Sequence, residues 1–356
     1  MIRWRKGTVR TVGASWPGAA ELWVDVDGTD VRALAYVDLV GTPEPGDTVV
    51  LNTTAQAMKL GTGGLAHVVA IPDRLPPDRP PAPGHLVKAR YTPLQATVLG
   101  VDEQDSQWHA TLRDADDLFG MPVVTADLHS ALPAVLAGLD RSARVVYVMT
   151  DGGALPLWFS RTVATLREAG WLAATVTVGQ AFGGDLEAVT LHSGLLAARH
   201  VLGADIAVVT QGPGNLGTGT RWGFSGVACG EAVNAAVVLG GRPVASLRIS
   251  SADARERHHG VSHHSLTAYG KVAMAPADVV VPELAGDFGT KVNQQVQRLG
   301  GRHQLITVPT DGLDGALRQV PVRLSTMGRG IDDDPEYFLA AAAAGQHAGD
   351  LLLHDG

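Results

Sequence analysis

The sequence predicts an α/β protein: a mostly parallel, Rossmann-like sheet covered by helices, preceded by a small all-β, barrel-like domain. Three observations carry this. After residue 120, short apolar runs alternate with amphipathic stretches of helical length, the rhythm of a parallel sheet buried on both faces. Residues 1–71 instead hold short alternating segments separated by tight turns. Between these regions, residues 72–84 contain Pro72, Pro76, Pro77, Pro80, Pro81 and Pro83, which reads as a semi-rigid linker. The expected division is therefore 1–71 as barrel, 72–84 as linker and 85–356 as α/β domain, with few contacts crossing the linker.

In the first region, residues 21–26 alternate Leu22, Val24 and Val26 with polar or exposed partners, and residues 31–37 return after Asp27-Gly28. This is a hairpin signal, because a two-residue turn needs positive φ. Residues 48–51 and 67–71 supply further strands, and the basic start, residues 1–10 (MIRWRKGTVR), runs straight into a strand pattern. No helix is expected here. In the second region the strands fall at 122–125, 144–149 (RVVYVM), 173–178, 205–209, 243–249, 278–281, 304–308 and 322–325. Helices are expected at 127–136, with Asp127 as N-cap, and at 155–169, 186–202, 225–239, 288–299 and 335–344.

Composition narrows the function classes. The net charge is −8, from 36 acidic and 28 basic residues, which opposes nucleic-acid binding. Cys229 is the single cysteine, so disulfides and CxxC metal sites are excluded. The start lacks the apolar stretch of a signal peptide, and charges or glycines interrupt every apolar run short of a membrane span. A soluble cytoplasmic protein is the expectation. It should be a homo-oligomer, because the barrel and the apolar final helix offer surfaces that a monomer would expose.

In an open parallel sheet, ligands bind beyond the carboxyl ends of the strands. The segments following the predicted strands concentrate glycine, carboxylates, histidine and arginine, whereas the opposite loops are plain. Asp151 and Asp185 are candidates for catalysis, for holding metal or for holding sugar hydroxyls; a turn residue and a helix cap are their structural alternatives. Gly212, Gly214, Asn215, Gly217, Thr218 and Thr220 form a glycine-rich loop that is either a tight structural connection or a cradle for an anion built from backbone N–H groups. Residues 212–217 fit GxGxxG, but Pro213 and the delayed helix argue against a dinucleotide.

The sharpest feature is the loop with His258, His259, His263 and His264, near Asp253, Arg255 and Arg257. His259 and His263 would share one face of a helix, making them, with Asp253, candidate ligands for a divalent metal. A histidine acting as general acid/base beside arginines that hold an anion is equally consistent. A hydrogen-bonded structural loop is the third possibility. Cys229, in an Ala/Gly-rich helix, reads as a small core residue.

Residues 150–156 (TDGGALP), 179–189 (GQAFGGDLEAV), 211–220 (QGPGNLGTGT), 248–264 (RISSADARERHHGVSHH) and 325–330 (STMGRG), with 52–64 (NTTAQAMKLGTGG), together resemble the bacterial domain-of-unknown-function family numbered 3866. The resemblance extends over nearly the whole chain. It implies no activity and transfers no catalytic residue. The residues themselves point to an enzyme, hydrolase or transferase, acting on a small polar or phosphorylated ligand in one crevice bordered by Asp151, Asp185, Gly214 and the histidine loop. A non-enzymatic ligand-binding or regulatory protein and a structural subunit are the alternatives.

Overall fold

The structure is a computed structural model that describes residues 2–59, 64–78, 80 and 82–354. Residues 60–63 of the 52–64 motif and Pro81 of the proline-rich stretch lie outside the described residues. The chain divides into two compact units, Met1–Val98 with Trp158–Ala164, and Leu99–Leu157 with Thr165–Gly356.

In the first unit, β1 (Trp4–Trp16), β2 (Ala19–Val26), β3 (Thr29–Tyr36), β4 (Thr48–Asn52) and β5 (Ala66–Ala70) close into a barrel in the order β1-β2-β3-β5-β4. Closure removes the exposed sheet edges that so small a sheet would otherwise carry. The β2–β3 turn is the expected one: Asp27 and Gly28 have φ of 51° and 80°, and Gly28 N donates to Asp25 Oδ1 at 2.8 Å. Leu22, Val24 and Val26 point inward with Val9, Val49, Leu51 and Val68. Two one-turn helices that the sequence pattern did not announce, Val37–Val40 and Thr54–Ala57, join strands. The ribbon of β6 (Leu86–Lys88) and β7 (Ala96–Val98) also belongs to this unit. So does a distant segment: Trp16 Nε1 donates to the Trp158 carbonyl at 2.7 Å, and Trp158 and Phe159 pack with Trp16, Tyr36 and Leu34.

The second unit is built on β8 (Pro122–Thr125), β9 (Val145–Thr150), β10 (Ala174–Val178), β11 (Leu186–Ala188), β12 (Ile206–Gln211), β13 (Arg242–Ser246), a small antiparallel pair β14 (Ile249–Ser250) and β15 (Gly260–Val261), then β16 (Asp278–Pro282) and β17 (Gln304–Val308). Eight of these form one sheet, β11-β10-β9-β12-β8-β13-β16-β17, with every neighbouring pair parallel. Two expectations need correction. Residues 186–188 form an edge strand rather than the start of a helix, which runs instead from Leu191 to His200 behind a Thr190–Ser193 capping box. The strand expected at 322–325 is only β18 (Ser325–Thr326), paired with β19 (Arg329–Gly330) outside the main sheet.

The sheet's winding reverses at its centre. From β8 the chain moves one way to β9, β10 and β11, and from β12 it moves the other way to β13, β16 and β17. Loops after β8, β9, β12 and β13 therefore converge at a topological switch point. The final helix, Pro335–His354, covers the sheet; Tyr337, Phe338 and Ala340 to Ala344 are buried. The apolar run expected to serve as a subunit surface is thus part of its own chain's core. Gly345 permits this packing, because a β-carbon there would collide with the Val135 carbonyl of helix Leu132–Ala137. Among the described residues no helix is long and apolar enough to cross a membrane.

Candidate functional site

The histidine loop is not one helix. A 3₁₀ turn at Glu256–His258 gives way to β15, and a new helix, His263–Thr267, starts behind the Ser262 cap. This break decides which imidazoles meet. His258, His263 and His264 form a triangle with ring centroids 4.9, 4.9 and 4.5 Å apart, and one ring nitrogen from each lies within 4.8 Å of the other two. His259 points elsewhere: its ring packs edge-on to Phe288, and Nδ1 sits 2.7 Å from Lys291 Nζ. The His259–His263 pair expected from helical spacing is therefore replaced by His258 with His263 and His264.

Each imidazole is set by its surroundings. His258 Nδ1 is 2.7 Å from Ser262 Oγ. His264 stacks face to face on Phe224, with centroids 3.8 Å apart and 2° between planes, and its Nδ1 lies 3.3 Å from Asp127 Oδ2. His263 Nε2 is buried and has no hydrogen-bond partner among the described residues. Burial first, then the charge of Arg248, pushes His258 down to about 3; burial first, then His264 and the neighbouring arginines, pushes His263 down to about 4. Both rings are therefore neutral at physiological pH, the form that ligates metals.

Around the triangle runs a network of buried charge. The Arg248 side chain, 3% exposed, lies 3.8 Å from Asp127 and 3.8 Å from Asp253. Asp253 accepts two hydrogen bonds from the Arg255 guanidinium, at 2.8 and 2.7 Å, and a third from Arg329 at 3.3 Å. Arg255 holds the Asp253 carboxyl well below the usual carboxylate range. Arg329 also pairs with Asp334 at 2.9 Å, which accepts from Ser250 Oγ and Ser251 N. Beneath the site, Tyr269 OH reaches the carbonyls of Thr125 and Ser246 at 2.7 and 3.2 Å, tying the ends of β8 and β13 together.

Asp127 and Arg248 were not singled out from sequence as site residues. Asp127 follows β8 directly, so its position at a carboxyl strand end was the available signal, but its residue type next to a helical stretch suggested a cap. It caps nothing: the 3₁₀ turn His129–Ala131 follows Leu128 without a side-chain cap.

The other predicted residues divide. Asn215 organises the glycine-rich loop, its Oδ1 receiving hydrogen bonds from Gln211 Nε2, Ser225 Oγ and Gly226 N at 2.9 to 3.3 Å. Gly212 lies against Ala154 too closely for any side chain, and Gly214 takes φ 92°. Gly217 bridges to Phe224, while Thr218 and Thr220 share a 3.1 Å hydroxyl contact. Asp151 sits at the end of β9 and accepts from Gln180 N at 2.9 Å. Asp185 lies apart from the histidines. Its carboxylate folds back along β10 to Thr175 N and Oγ1, at 2.7 and 3.0 Å, and to Arg167. A small cavity at the switch point is lined by Asp127, Thr150, Gln211, Ser225 and Cys229, and not by Asp151, Asp185, Gly214 or the histidines.

Residues 32–345 match the family described as Protein of unknown function (DUF3866). The chain belongs to the DUF3866 family. No curated protein matches it. What the DUF3866 fold supplies here is a switch point at which a buried acid, a buried arginine and three imidazoles converge.

Proposed function

We propose that this DUF3866 protein is a metal-dependent enzyme, a hydrolase or transferase acting on a small polar ligand at the carboxyl edge of its sheet. The observation that carries the reading is the imidazole triangle of His258, His263 and His264, whose ring nitrogens lie within 4.8 Å of one another. Its details match what a divalent transition metal asks for. Nδ1 of His258 faces Ser262, and Nδ1 of His264 lies 3.3 Å from both Asp127 Oδ2 and Arg248 Nη1, so Nε2 of each ring is the atom that would meet a metal. A carboxylate behind a ligating histidine fixes the ring and raises its basicity. The buried, unpartnered Nε2 of His263 would gain its missing partner.

Three histidines, with no fourth protein ligand among the described residues, is the pattern of catalytic rather than structural zinc sites; such a metal, when bound, makes hydroxide from water near neutral pH. With Asp127 as the acceptor, the proton of His264 would sit on Nδ1; Arg248 Nη1, also 3.3 Å from Nδ1 and 3.8 Å from Asp127, would then turn to the carboxylate and balance it. Phe224, stacked on His264, would limit water access from that side.

The test is a titration of chelator-stripped protein with zinc and manganese, followed by elemental analysis and a screen of simple phosphate and carboxylate esters. One metal per chain is expected, together with metal-dependent turnover. His263→Gln and His258→Gln should each lose saturable binding. Undiminished binding in both variants would overturn the metal site, and an absence of metal-dependent turnover across the screen would overturn the enzymatic reading.

A further inference from the structure

The two arginines flanking the histidine loop look interchangeable in sequence, but the structure separates them. Arg255 is locked on Asp253 by two hydrogen bonds. Arg257 is exposed, and among the described residues it has no ion pair. Its Nη2 lies beside Gly219, 3.8 Å from where a β-carbon would stand, so its guanidinium borders the loop of Thr218 and Thr220, whose exposed hydroxyls bond each other at 3.1 Å and meet Gly223 O and N at 3.4 and 3.1 Å. That loop returns through the Gly217–Phe224 bridge, and Phe224 is stacked on His264 and lies edge-on to His263, 6.0 Å away. One wall of the imidazole triangle therefore ends in an unpaired cation with two hydroxyls next to it.

We infer that Arg257, with Thr218 and Thr220, binds the phosphate group of a small phosphorylated ligand whose reacting end faces His258, His263 and His264. The inference rests on the proposed metal site and names its ligand class. Charge bookkeeping favours a phosphate over a carboxylate. In the network the carboxylates of Asp127, Asp253 and Asp334 are matched by the guanidiniums of Arg248, Arg255 and Arg329, and Glu336, joined to Asp334 through Ser251, adds one negative charge. A divalent metal would turn that balance to one positive charge, and Arg257 adds a second. A dianionic phosphate answers that field better than a monoanion. A guanidinium's planar fork also suits phosphate oxygens, and the two hydroxyls, by turning from each other and from Gly223, would meet those that remain.

The experiment is calorimetric titration of inorganic phosphate, and separately of acetate, into the full-length protein in zinc-loaded and metal-free forms. Wild type should bind phosphate saturably and acetate much more weakly. Arg257→Ala should weaken phosphate by roughly tenfold or more while zinc content stays at the wild-type level, and Arg257→Lys should restore part of the loss. Equal phosphate affinity in wild type and Arg257→Ala overturns the assignment, as does acetate binding as tightly as phosphate. Arg257-dependent phosphate binding in metal-free protein would uphold the anion site even if the histidines held no zinc, so the two readings fail separately.

Discussion

Replacing Asp127 by Asn tests whether the buried network is held together electrostatically. The substitution keeps the side chain's shape and removes one charge next to Arg248, which is 3% exposed and 3.8 Å from each of two carboxylates. At that distance, and with an effective dielectric of about 20, each pair is worth about 4 kcal/mol before desolvation is counted. Arg248 keeps Asp253, and Asn still offers a dipole, so the net loss should fall to about 2–4 kcal/mol, somewhat below the roughly 3–5 kcal/mol seen when a buried charge is left with no partner. Urea unfolding at pH 7, monitored by circular dichroism, should give that loss with an unchanged m-value. The loss should shrink in an Arg248→Met background, where no buried cation is left uncompensated. A loss below about 1 kcal/mol, or one just as large in the Arg248→Met background, would refute the argument.

Two further outcomes follow from the same geometry. Asp185→Ala should cost about 1–3 kcal/mol, because Thr175 loses the acceptor of its backbone and hydroxyl groups, yet leave zinc and phosphate binding unchanged in calorimetry. At the opposite end of the sheet, burial raises the Asp278 carboxyl, but the hydrogen bond from His347 and the charge of Arg242 outweigh it and leave the pKa lowered. A depressed carboxylate stabilises the fold above its unfolded pKa near 4 and loses that contribution as pH falls through the folded value. Asp278→Asn should therefore flatten the acid limb of stability below pH 4 in denaturant titrations; an unchanged limb would show that the pair contributes nothing.

The sheet was legible because burial on both faces writes a strand as a continuous apolar run, as in residues 145–149 (VVYVM). Leu186–Ala188 was not, since Leu, Glu and Ala favour helix and only pairing with β10 makes them extended. The site was legible as a location and not as a set of contacts. Its loops follow from the strand ends, but Asp127 meets His264 across 137 residues, and no local rule registers such a pair. For the same reason His259 looked equivalent to His258: helical spacing was the only available ruler, and the extended turn at β15 makes it inapplicable.

The segment Trp158–Ala164 has a consequence for biosynthesis. The first unit needs it, since Trp16 has its acceptor and Tyr36 a neighbouring ring there, yet about 60 residues of the second unit separate it from Val98. At about 5–20 residues per second, the ribosome delivers that piece roughly 3–12 s after β7 has been made. The barrel must wait with an open aromatic seam while β8 and β9 emerge. A chain stalled or truncated before residue 158 would expose that seam, making the interval the period in which a chaperone or a neighbouring nascent chain finds its hydrophobic target.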